Sequence, residues 1–148
     1  MATTDAKALF VDTNILVYAN VAGAPMHERA LSAINKAFLS GRPLWLSRQV
    51  LREFIVVHTR PQTFVHPITS EVLGERLRYL EQRFQVADDT ADVTHALIRL
   101  IRNFRVGGKQ VHDANIVATM QVYGIPAILT HNIKDFERYG SLIQIETL

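Results

Sequence analysis

The sequence contains no cysteine, and this absence excludes several classes of site at once. Disulfide scaffolds, cysteine-ligated zinc sites, thiol nucleophiles and iron–sulfur clusters all need that residue. A metal site in this chain must therefore use oxygen or imidazole ligands. Long apolar runs are also missing: residues 8–11 and 54–57 are runs of four, whereas a membrane-spanning helix needs roughly 18. A transmembrane protein is therefore not expected.

Several sequence signals of other protein classes are missing as well. The first residues lack a basic segment followed by an apolar one, so they do not resemble a secretory signal, and we expect a cytoplasmic protein. The adjacent glycines at 107 and 108 belong to no P-loop or dinucleotide motif. Repeats, low-complexity tracts and linkers are absent, which predicts one continuous domain over residues 1–148.

Opposite charges almost cancel, with 16 Lys and Arg against 14 Asp and Glu, but they are unevenly distributed. Residues 42–60 carry four arginines and one acid, and residues 93–112 carry four cations and no acid. Arginine outnumbers lysine by 12 to 4, and its planar guanidinium suits phosphate better than a point charge does. We therefore expect a polyanionic partner. The candidate phosphate contacts are Arg52, Arg102, Arg105 and Lys109.

Short apolar runs alternate with amphipathic helical segments along the chain. Strands are predicted at residues 8–11, 44–46, 85–87, 127–130 and 142–145. Helices are predicted directly after the first strand and at residues 26–39, 47–60, 68–84, about 88–104 and 111–123. Because the strands are short, continuously apolar and separated by helices, the pattern predicts a parallel sheet covered on both faces.

Four acids fall where such a sheet gathers ligands, at the carboxyl ends of its strands. Asp12 follows the first strand, and Asp135 lies five residues after Thr130 at the end of another. Asp113 stands at the start of a helix, which faces the same edge. Glu53 lies in a helix beside apolar residues, where an unpaired carboxylate is costly unless a cation or hydrogen-bond donors satisfy it. These positions predict that the four acids meet.

Four converging carboxylates repel one another unless a positive charge stands among them. Hard oxygen ligands favour Mg²⁺ or Mn²⁺. One or two such ions can lower the pKa of a bound water and stabilise the attacking and leaving oxygens of a phosphodiester displacement. The basic segments would hold the polyanion beside the acids. The pattern therefore predicts metal-dependent phosphodiester hydrolysis.

Other acid-dependent enzymes fit the sequence less well. The adjacent His112 and Asp113 resemble the pair of the His-Asp phosphohydrolases, but that fold is all helical and conflicts with the predicted strands. Haloacid dehalogenase-like phosphatases place a proton-donating Asp two residues after the first, where this chain has Asn14. A phosphoacceptor receiver domain needs a pair of acids after its first strand, which the order here does not supply.

Four segments together resemble the PIN domain and, more narrowly, its VapC-type toxin branch. They are Phe10-Val11-Asp12-Thr13-Asn14-Ile15-Leu16, Glu53 in a helix after a Ser-capped turn, Asp113-Ala114-Asn115-Ile116-Val117-Ala118, and Leu129-Thr130-His131-Asn132-Ile133-Lys134-Asp135-Phe136. The resemblance implies a PIN-like three-layer α/β/α sandwich with a short parallel sheet. It also implies a metal-dependent endoribonuclease of a type II toxin–antitoxin pair. Such a toxin is usually a homodimer and is silenced by an antitoxin that fills its acidic groove.

The resemblance assigns Asp12, Glu53 and Asp113 to the metal-site carboxylates of the family. Family members differ in which position supplies the last carboxylate, and Asn132 is an amide here, so Asp135 is our choice for the fourth acid. In this interpretation Asp12, Asp113 and Asp135 hold Mg²⁺ or Mn²⁺. Glu53 binds the metal or positions the attacking water.

Polar neighbours of the acids complete the expected site. Asn14, Thr130 and Asn132 are expected to hydrogen-bond the acids or to orient a water. His112 directly before the third acid, and Asn115 where an apolar residue is more usual, depart from the commonest pattern without removing a carboxylate.

Two other interpretations stay open at this point. The same fold could be a non-catalytic RNA-binding or interaction module whose acids are structural. It could also be a structure-specific nuclease that acts on DNA, since nothing in the sequence reads a ribose 2′-hydroxyl.

Overall fold

The computed structural model describes residues 6–61 and 66–148, and its centre is a five-stranded parallel sheet. The strands are β1 (Leu9–Val11), β2 (Leu44–Ser47), β3 (Gln85–Ala87), β4 (Ala127–Leu129) and β5 (Gln144–Glu146). They lie in the order β3-β2-β1-β4-β5, and each neighbouring pair is parallel. β1 is therefore central, and Phe10 stands opposite Trp45 on β2 and Ile128 on β4.

The described residues also form six α-helices. They are α1 (Thr13–Asn20), α2 (His27–Leu39), α3 (Arg48–His58), α4 (Ser70–Arg83), α5 (Ala91–Phe104) and α6 (Gln110–Tyr123). α1 packs against α2 and α3, α3 packs against α4, and α5 packs against α6. The helices cover the sheet on both faces, which confirms the predicted three-layer α/β/α sandwich. None of these helices is long and apolar enough to cross a bilayer.

Side chains at the helix ends explain where several helices begin and end. The hydroxyls of Ser47, Thr69 and Thr90 each accept a hydrogen bond from the backbone N–H three residues further on, at 3.3 to 3.4 Å. Such caps satisfy amide groups that the first turn leaves without a partner. At the other end of α6, Gly124 takes a left-handed conformation with φ of 69°, which closes the helix as the sequence predicted.

The last strand differs from the prediction. Residues 142–145 were expected to form it, but β5 spans Gln144–Glu146. Leu142 and Ile143 instead turn back, and their N–H groups both donate to the Tyr139 carbonyl, at 2.8 and 3.0 Å. Ile143 is buried in that turn. Its apolar side chain therefore serves the core rather than a strand, and apolar character alone gave the wrong boundary.

The core is built on the central strands and on α6. Phe10, Leu46 and Ile128, from three neighbouring strands, are completely buried, and α6 is buried over residues 116–120. Shortening a large core side chain to Ala typically costs about 2–5 kcal/mol. This packing holds the ends of the central strands in place, at the edge where the acids lie.

The carboxyl ends of the strands meet along one edge of the sheet. The Asp12 N–H donates to the Leu129 carbonyl at 3.0 Å, and the Thr130 N–H donates to the Glu146 carbonyl at 3.0 Å. Each polar residue thus continues the pairing of its strand by one bond and then leaves the sheet. As a result the side chains of Asp12 and Thr130 stand side by side above the end of the sheet.

Candidate active site

Asp12 lies at the centre of the edge, where β1 passes directly into α1. Its side chain is only 7% exposed, and its carboxylate accepts from the N–H of Thr13 at 2.8 Å, from the Thr130 hydroxyl at 2.8 Å and from the Asn14 amide at 3.3 Å. Burial nevertheless raises the pKa of Asp12 from 3.8 to about 6, and the charges of Glu53 and Asp135 add to the rise. Three donors thus do not fully compensate for desolvation and repulsion.

Glu53 lies on α3, and its carboxylate contacts Thr13 at the start of α1, the residue after Asp12. One of its carboxylate oxygens accepts from the Thr13 hydroxyl in a short hydrogen bond. The other accepts from the Gln49 amide at 3.0 Å, one helical turn earlier. The two donors orient the carboxylate in a half-buried position. Glu53 is therefore held in place without any cationic side chain in these bonds.

Asp113 lies in the first turn of α6 and is half buried. Its pKa is raised from 3.8 to about 7, mainly by desolvation and also by the charges of Asp135, Asp12 and Glu53, while Arg138 opposes the rise. Within residues 6–61 and 66–148, no side chain or backbone N–H donates a hydrogen bond to its carboxylate. Asp113 is thus the acid of this edge that most needs an external cation.

Asp135 and Asn132 stand at the rim of the site, beyond β4. Asp135 ends a short 3₁₀ turn, Ile133–Asp135, and is exposed. Its charge still raises the pKa values of Asp12 and Asp113, so its carboxylate lies within electrostatic reach of both. The Asn132 N–H donates to the Thr130 hydroxyl at 3.0 Å, and its side chain lines the groove described next. The structure therefore keeps both residues near the acids.

The acids open into a groove of about 440 Å³ between α1 and α3. Its lining residues are Asp12, Thr13, Asn14, Val17, Tyr18, Glu53, Val56, Val57, Arg60, Asp113 and Asn132. A concave site with a few converging polar groups and shifted pKa values is typical of an active site. The groove is thus the strongest candidate for one within the described residues.

The four cations chosen from the sequence lie outside this groove. Arg52 is exposed on α3 and pairs with Asp89 at 3.6 Å. Arg102, Arg105 and Lys109 lie exposed at the end of α5 and in the connection to α6. Two other arginines are associated with the groove or with its acids. Arg60 lines the groove, and Arg138 is close enough to Asp113 to oppose the rise of its pKa.

A polar network that sequence reasoning missed links the two sides of the site. The Gln49 amide donates to Glu53 and also to the His112 carbonyl, at 2.9 Å, while its own oxygen accepts from the Asn115 amide at 2.9 Å. Gln49 is only 6% exposed. One signal was available, because Asn115 had been noted as an unusual residue for its position. Buried amides are costly without partners, and this pair satisfies itself across α3 and α6.

The chemistry of the acids fits a divalent cation. Among residues 6–61 and 66–148, no three Asp, Glu or His side chains stand together as a ready ligand cluster. Burial is the main cause of the raised pKa values of Asp12 and Asp113, and the charges of the neighbouring carboxylates, Glu53 and Asp135 among them, add to both. Such mutual repulsion is relieved by a cation, and all the donor atoms are hard oxygens, which suit Mg²⁺ or Mn²⁺.

Comparison with known proteins points to one family. The family model described as PIN domain matches residues 9–142. Ribonuclease VapC48 from Mycobacterium tuberculosis is 28% identical over 134 residues, which cover 88% of this chain and 91% of that protein.

Two solved structures show how far the fold is shared. VapBC2 from Rickettsia felis, bound to a DNA fragment from its promoter, matches with a TM-score of 0.68 and 21% identity, over 95% of this chain and 98% of that chain. The Mycobacterium tuberculosis toxin VapC20, described as cleaving the sarcin-ricin loop, matches with a TM-score of 0.58 and 23% identity, over 82% and 87%. Together with the family model, these findings confirm the resemblance inferred from the sequence, and this chain belongs to the PIN domain family.

Proposed function

We propose that this protein is an endoribonuclease that hydrolyses RNA phosphodiester bonds with the help of Mg²⁺ or Mn²⁺, and that it is the toxin of a toxin–antitoxin pair. The observation that carries the proposal is the position of Asp12, Glu53 and Asp113 at one end of a groove, with Asp135 close enough for its charge to raise the pKa values of Asp12 and Asp113. The mutual charge effects of these residues call for a cation. The similarity to Ribonuclease VapC48 supports the choice of RNA as substrate.

In this proposal Asp12, Asp113 and Asp135 hold the cation. When bound, it supplies Lewis acidity to the attacking water and to the phosphodiester oxygens. Asp12 cannot swing away, because Thr130, Asn14 and the Thr13 N–H hold its carboxylate. These donors preserve the position of the acid whether or not a cation is bound, which lowers the cost of binding one.

Glu53 is proposed to bind the cation or to position the attacking water. Thr13 and Gln49 each occupy one of its carboxylate oxygens, so the carboxylate keeps one orientation toward the groove. A carboxylate held in this way can accept a proton from water without a change of rotamer. Arg60 at the other end of the groove and Arg138 beside Asp113 are placed to hold phosphates.

Structures that share this fold support an antitoxin as a partner. VapBC2 and a complex from Klebsiella pneumoniae, described as toxin–antitoxin, share this fold. We propose that a cognate antitoxin fills the groove and that the active form is a homodimer. Arg52, Arg102, Arg105 and Lys109 stay predictions as contacts to RNA outside the groove, where exposed cations add sequence-independent affinity.

The test is cleavage of a structured RNA by the purified full chain, with EDTA and after re-addition of Mn²⁺. Wild type is compared with Asp12→Asn, Asp113→Asn and the control Glu75→Gln, an exposed acid on α4. We expect EDTA and both Asn variants to reduce the rate at least about a hundredfold, more than loss of an outer hydrogen-bond partner typically costs. The control should keep the wild-type rate.

Three outcomes would contradict the proposal. Cleavage by Asp12→Asn and Asp113→Asn at the wild-type rate would remove the acids from the mechanism. Salt-dependent RNA binding without turnover, and without stabilisation by Mn²⁺, would instead indicate a non-catalytic RNA-binding module. Preferential cleavage of single-stranded or duplex DNA in parallel reactions would indicate a DNA-directed nuclease on this fold.

A further inference from the structure

The groove changes chemical character along its length. The acids and the polar side chains of Thr13, Asn14 and Asn132 line one end. The other end is lined by Val17, Tyr18, Val56 and Val57, with Arg60 beyond them. Hydrolysis at the acids makes no use of an apolar surface, so the second half of the groove, which an antitoxin would cover in the silenced protein, needs a role in the active one.

One face of α3 carries the whole sequence of chemical groups. Glu53, Val56, Val57 and Arg60 follow one another at spacings of three and four residues, which places them on the same side of the helix and its C-terminal turn. Val56 is 48% exposed although it lies between an acid and a cation. This part of the chain thus brings to the groove first a carboxylate, then two valine side chains and then a guanidinium.

α1 supplies the opposite apolar wall. The hydrogen bond from Thr13 to Glu53 joins the two helices. Val17 follows Thr13 by four residues, and Val57 follows Glu53 by four, so both lie one turn beyond the joined pair. Tyr18 completes this wall, and its ring packs edge-on against His131 with centroids 5.6 Å apart. The two walls face one another directly beside the acids.

We propose that this apolar half of the groove holds one unpaired nucleobase of the RNA substrate, beside the bond that is cleaved, and that Arg60 binds an adjacent phosphate. The inference rests on the proposed function and names the form of its substrate. Nucleobases present apolar faces that bind side chains irrespective of sequence, and a guanidinium suits the phosphate. A volume of about 440 Å³ lies in the usual range of small-molecule sites.

The shape of the groove favours an RNA strand whose bases are not stacked on one another. Glu53 lies in α3, whereas Arg60 follows it by seven residues and stands just beyond the C-cap of the helix, Thr59. Stacked bases lie about 3.4 Å apart along a strand. A base held between the side chains of α1 and α3 has those side chains where its neighbours in a stack would lie, so it cannot also be stacked and paired in a duplex. We expect cleavage in loops and single-stranded segments, and protection of continuous duplexes.

The first experiment removes the base from the substrate. The cut in a short hairpin RNA is mapped with wild type, and an abasic ribonucleotide is then placed on either side of it in turn. We expect one of the two abasic substrates to lose about fivefold or more in kcat/KM, the low end of the effect of one base contact. Equal kcat/KM for the intact substrate and both abasic substrates would overturn the proposal.

The second experiment removes the apolar wall. Val56→Ser should reduce kcat/KM for the intact RNA several-fold, and the abasic substitution should then cost little more, because both changes remove the same contact. The matched control Val122→Ser alters a side chain of similar exposure, 38%, on α6 and should leave both substrates unaffected. Independent, additive losses would contradict a shared contact. An unchanged kcat/KM, with weaker binding of a protein partner only, would assign the wall to that partner.

Arg60 is tested by the salt dependence of binding. Arg60→Gln should lower the slope of log K against log salt by about 0.7, the contribution of one phosphate contact to a single strand. The control Arg78→Gln, on the exposed side of α4, should keep the wild-type slope. An unchanged slope for Arg60→Gln would remove it from the substrate contacts.

Failure of the proposed function is separable from failure of this inference. A wild-type protein that cleaves no RNA would refute the enzyme assignment. Binding of the intact and abasic hairpins, measured by fluorescence anisotropy, would then still test the base site. Cleavage by wild type with no effect of base removal or of Val56→Ser would refute the base site alone.

Discussion

Two junctions of the chain deliver the acids of the groove in opposite ways. At the β1–α1 junction, Asp12 is at once the residue after the strand and the cap of the helix, and three donors hold it. At the α5–α6 junction, residues 105–109, exposed apart from the buried Val106, connect α5 to the helix that carries Asp113, and no donor in the described chain holds the Asp113 carboxylate. Asp12 therefore helps to stabilise the fold, whereas the carboxylate of Asp113 is left free to bind a ligand.

The largest expected effect is the pH dependence of stability without metal. The folded protein holds protons on Asp12 and Asp113 up to pKa values of about 6 and about 7, whereas both release them near 3.8 when unfolded. The contribution of these two carboxyls to the free energy of unfolding should therefore be fully present below about pH 4 and be lost as the pH rises to about 7. At about 1.4 kcal/mol per pKa unit, Asp12 alone contributes about 3 kcal/mol, and half-exposed Asp113 contributes less than its shift suggests because solvent screens it.

Urea unfolding in EDTA at pH 5 and pH 8 measures this difference. Mn²⁺ should reduce it, because a cation stabilises both charged carboxylates. Asp113→Asn should reduce it as well, by removing one of the two protons involved. If the protein with EDTA is more stable at pH 8 than at pH 5, the two acids do not dominate its pH dependence.

Truncation to Ala should separate the two acids next. Asp12→Ala removes the cap of α1 and leaves the buried Thr130 hydroxyl without its acceptor, which we expect to cost about 1–3 kcal/mol. Asp113→Ala removes a repelled carboxylate that no donor holds, so stability in EDTA should stay the same or rise. Chemical denaturation at about pH 4, where both carboxyls are uncharged in the folded protein and no penalty for a buried charged Asp12 obscures the comparison, measures the two variants. Equal destabilisation would remove the distinction between framework and ligand-facing acid.

The sequence could predict the first junction better than the second. An apolar strand that stops at Asp12 gives a local signal, and the β3 strand was found at residues 85–87 for the same reason. Glu53 and Asp113 were identified as site residues, but their distance depends on how α3 and α6 pack. No periodicity shows that Gln49 is buried between them, since a polar residue inside a helix is usually exposed.

Cations were predicted less well, for a related physical reason. A basic window in the sequence states how many positive charges are near one another but not which face of a helix carries them. Arg52 and Arg60 belong to the same window, yet Arg52 pairs with Asp89 outside the groove while Arg60 lines it. Which of the two arginines lines the groove depends on the side of α3 on which each one lies. At the rim, Asn132 lines the groove, whereas Asp135, the acid chosen from the sequence, acts on Asp12 and Asp113 through its charge.

Gln49 connects the two junctions, and its loss should have an intermediate effect. It holds Glu53 and, through the His112 carbonyl, the start of the helix that carries Asp113. Gln49→Leu keeps the volume but removes both bonds, and we expect RNA cleavage to fall about 10- to 100-fold, as for other residues that orient a ligand set. The exposed Gln121→Leu on α6 is the control. If Gln49→Leu cleaves RNA at the wild-type rate and has the wild-type free energy of unfolding, the hydrogen bonds of Gln49 are not needed to position the acids.

The smallest expected effect concerns the backbone of the second junction. Arg105 ends α5 with φ of 50°, the only non-glycine residue with positive φ in the described chain. An L-residue pays about 1–2 kcal/mol in this region, which glycine avoids, although glycine loses more entropy on folding. Arg105→Gly should therefore stabilise the protein by up to about 1 kcal/mol, while Arg102→Gly, in the regular helix, should destabilise it by about the same amount. If Arg105 also contacts RNA, the glycine variant gains stability and loses affinity together. A loss of stability would show that the side chain of Arg105, rather than its backbone, supports the junction that presents Asp113.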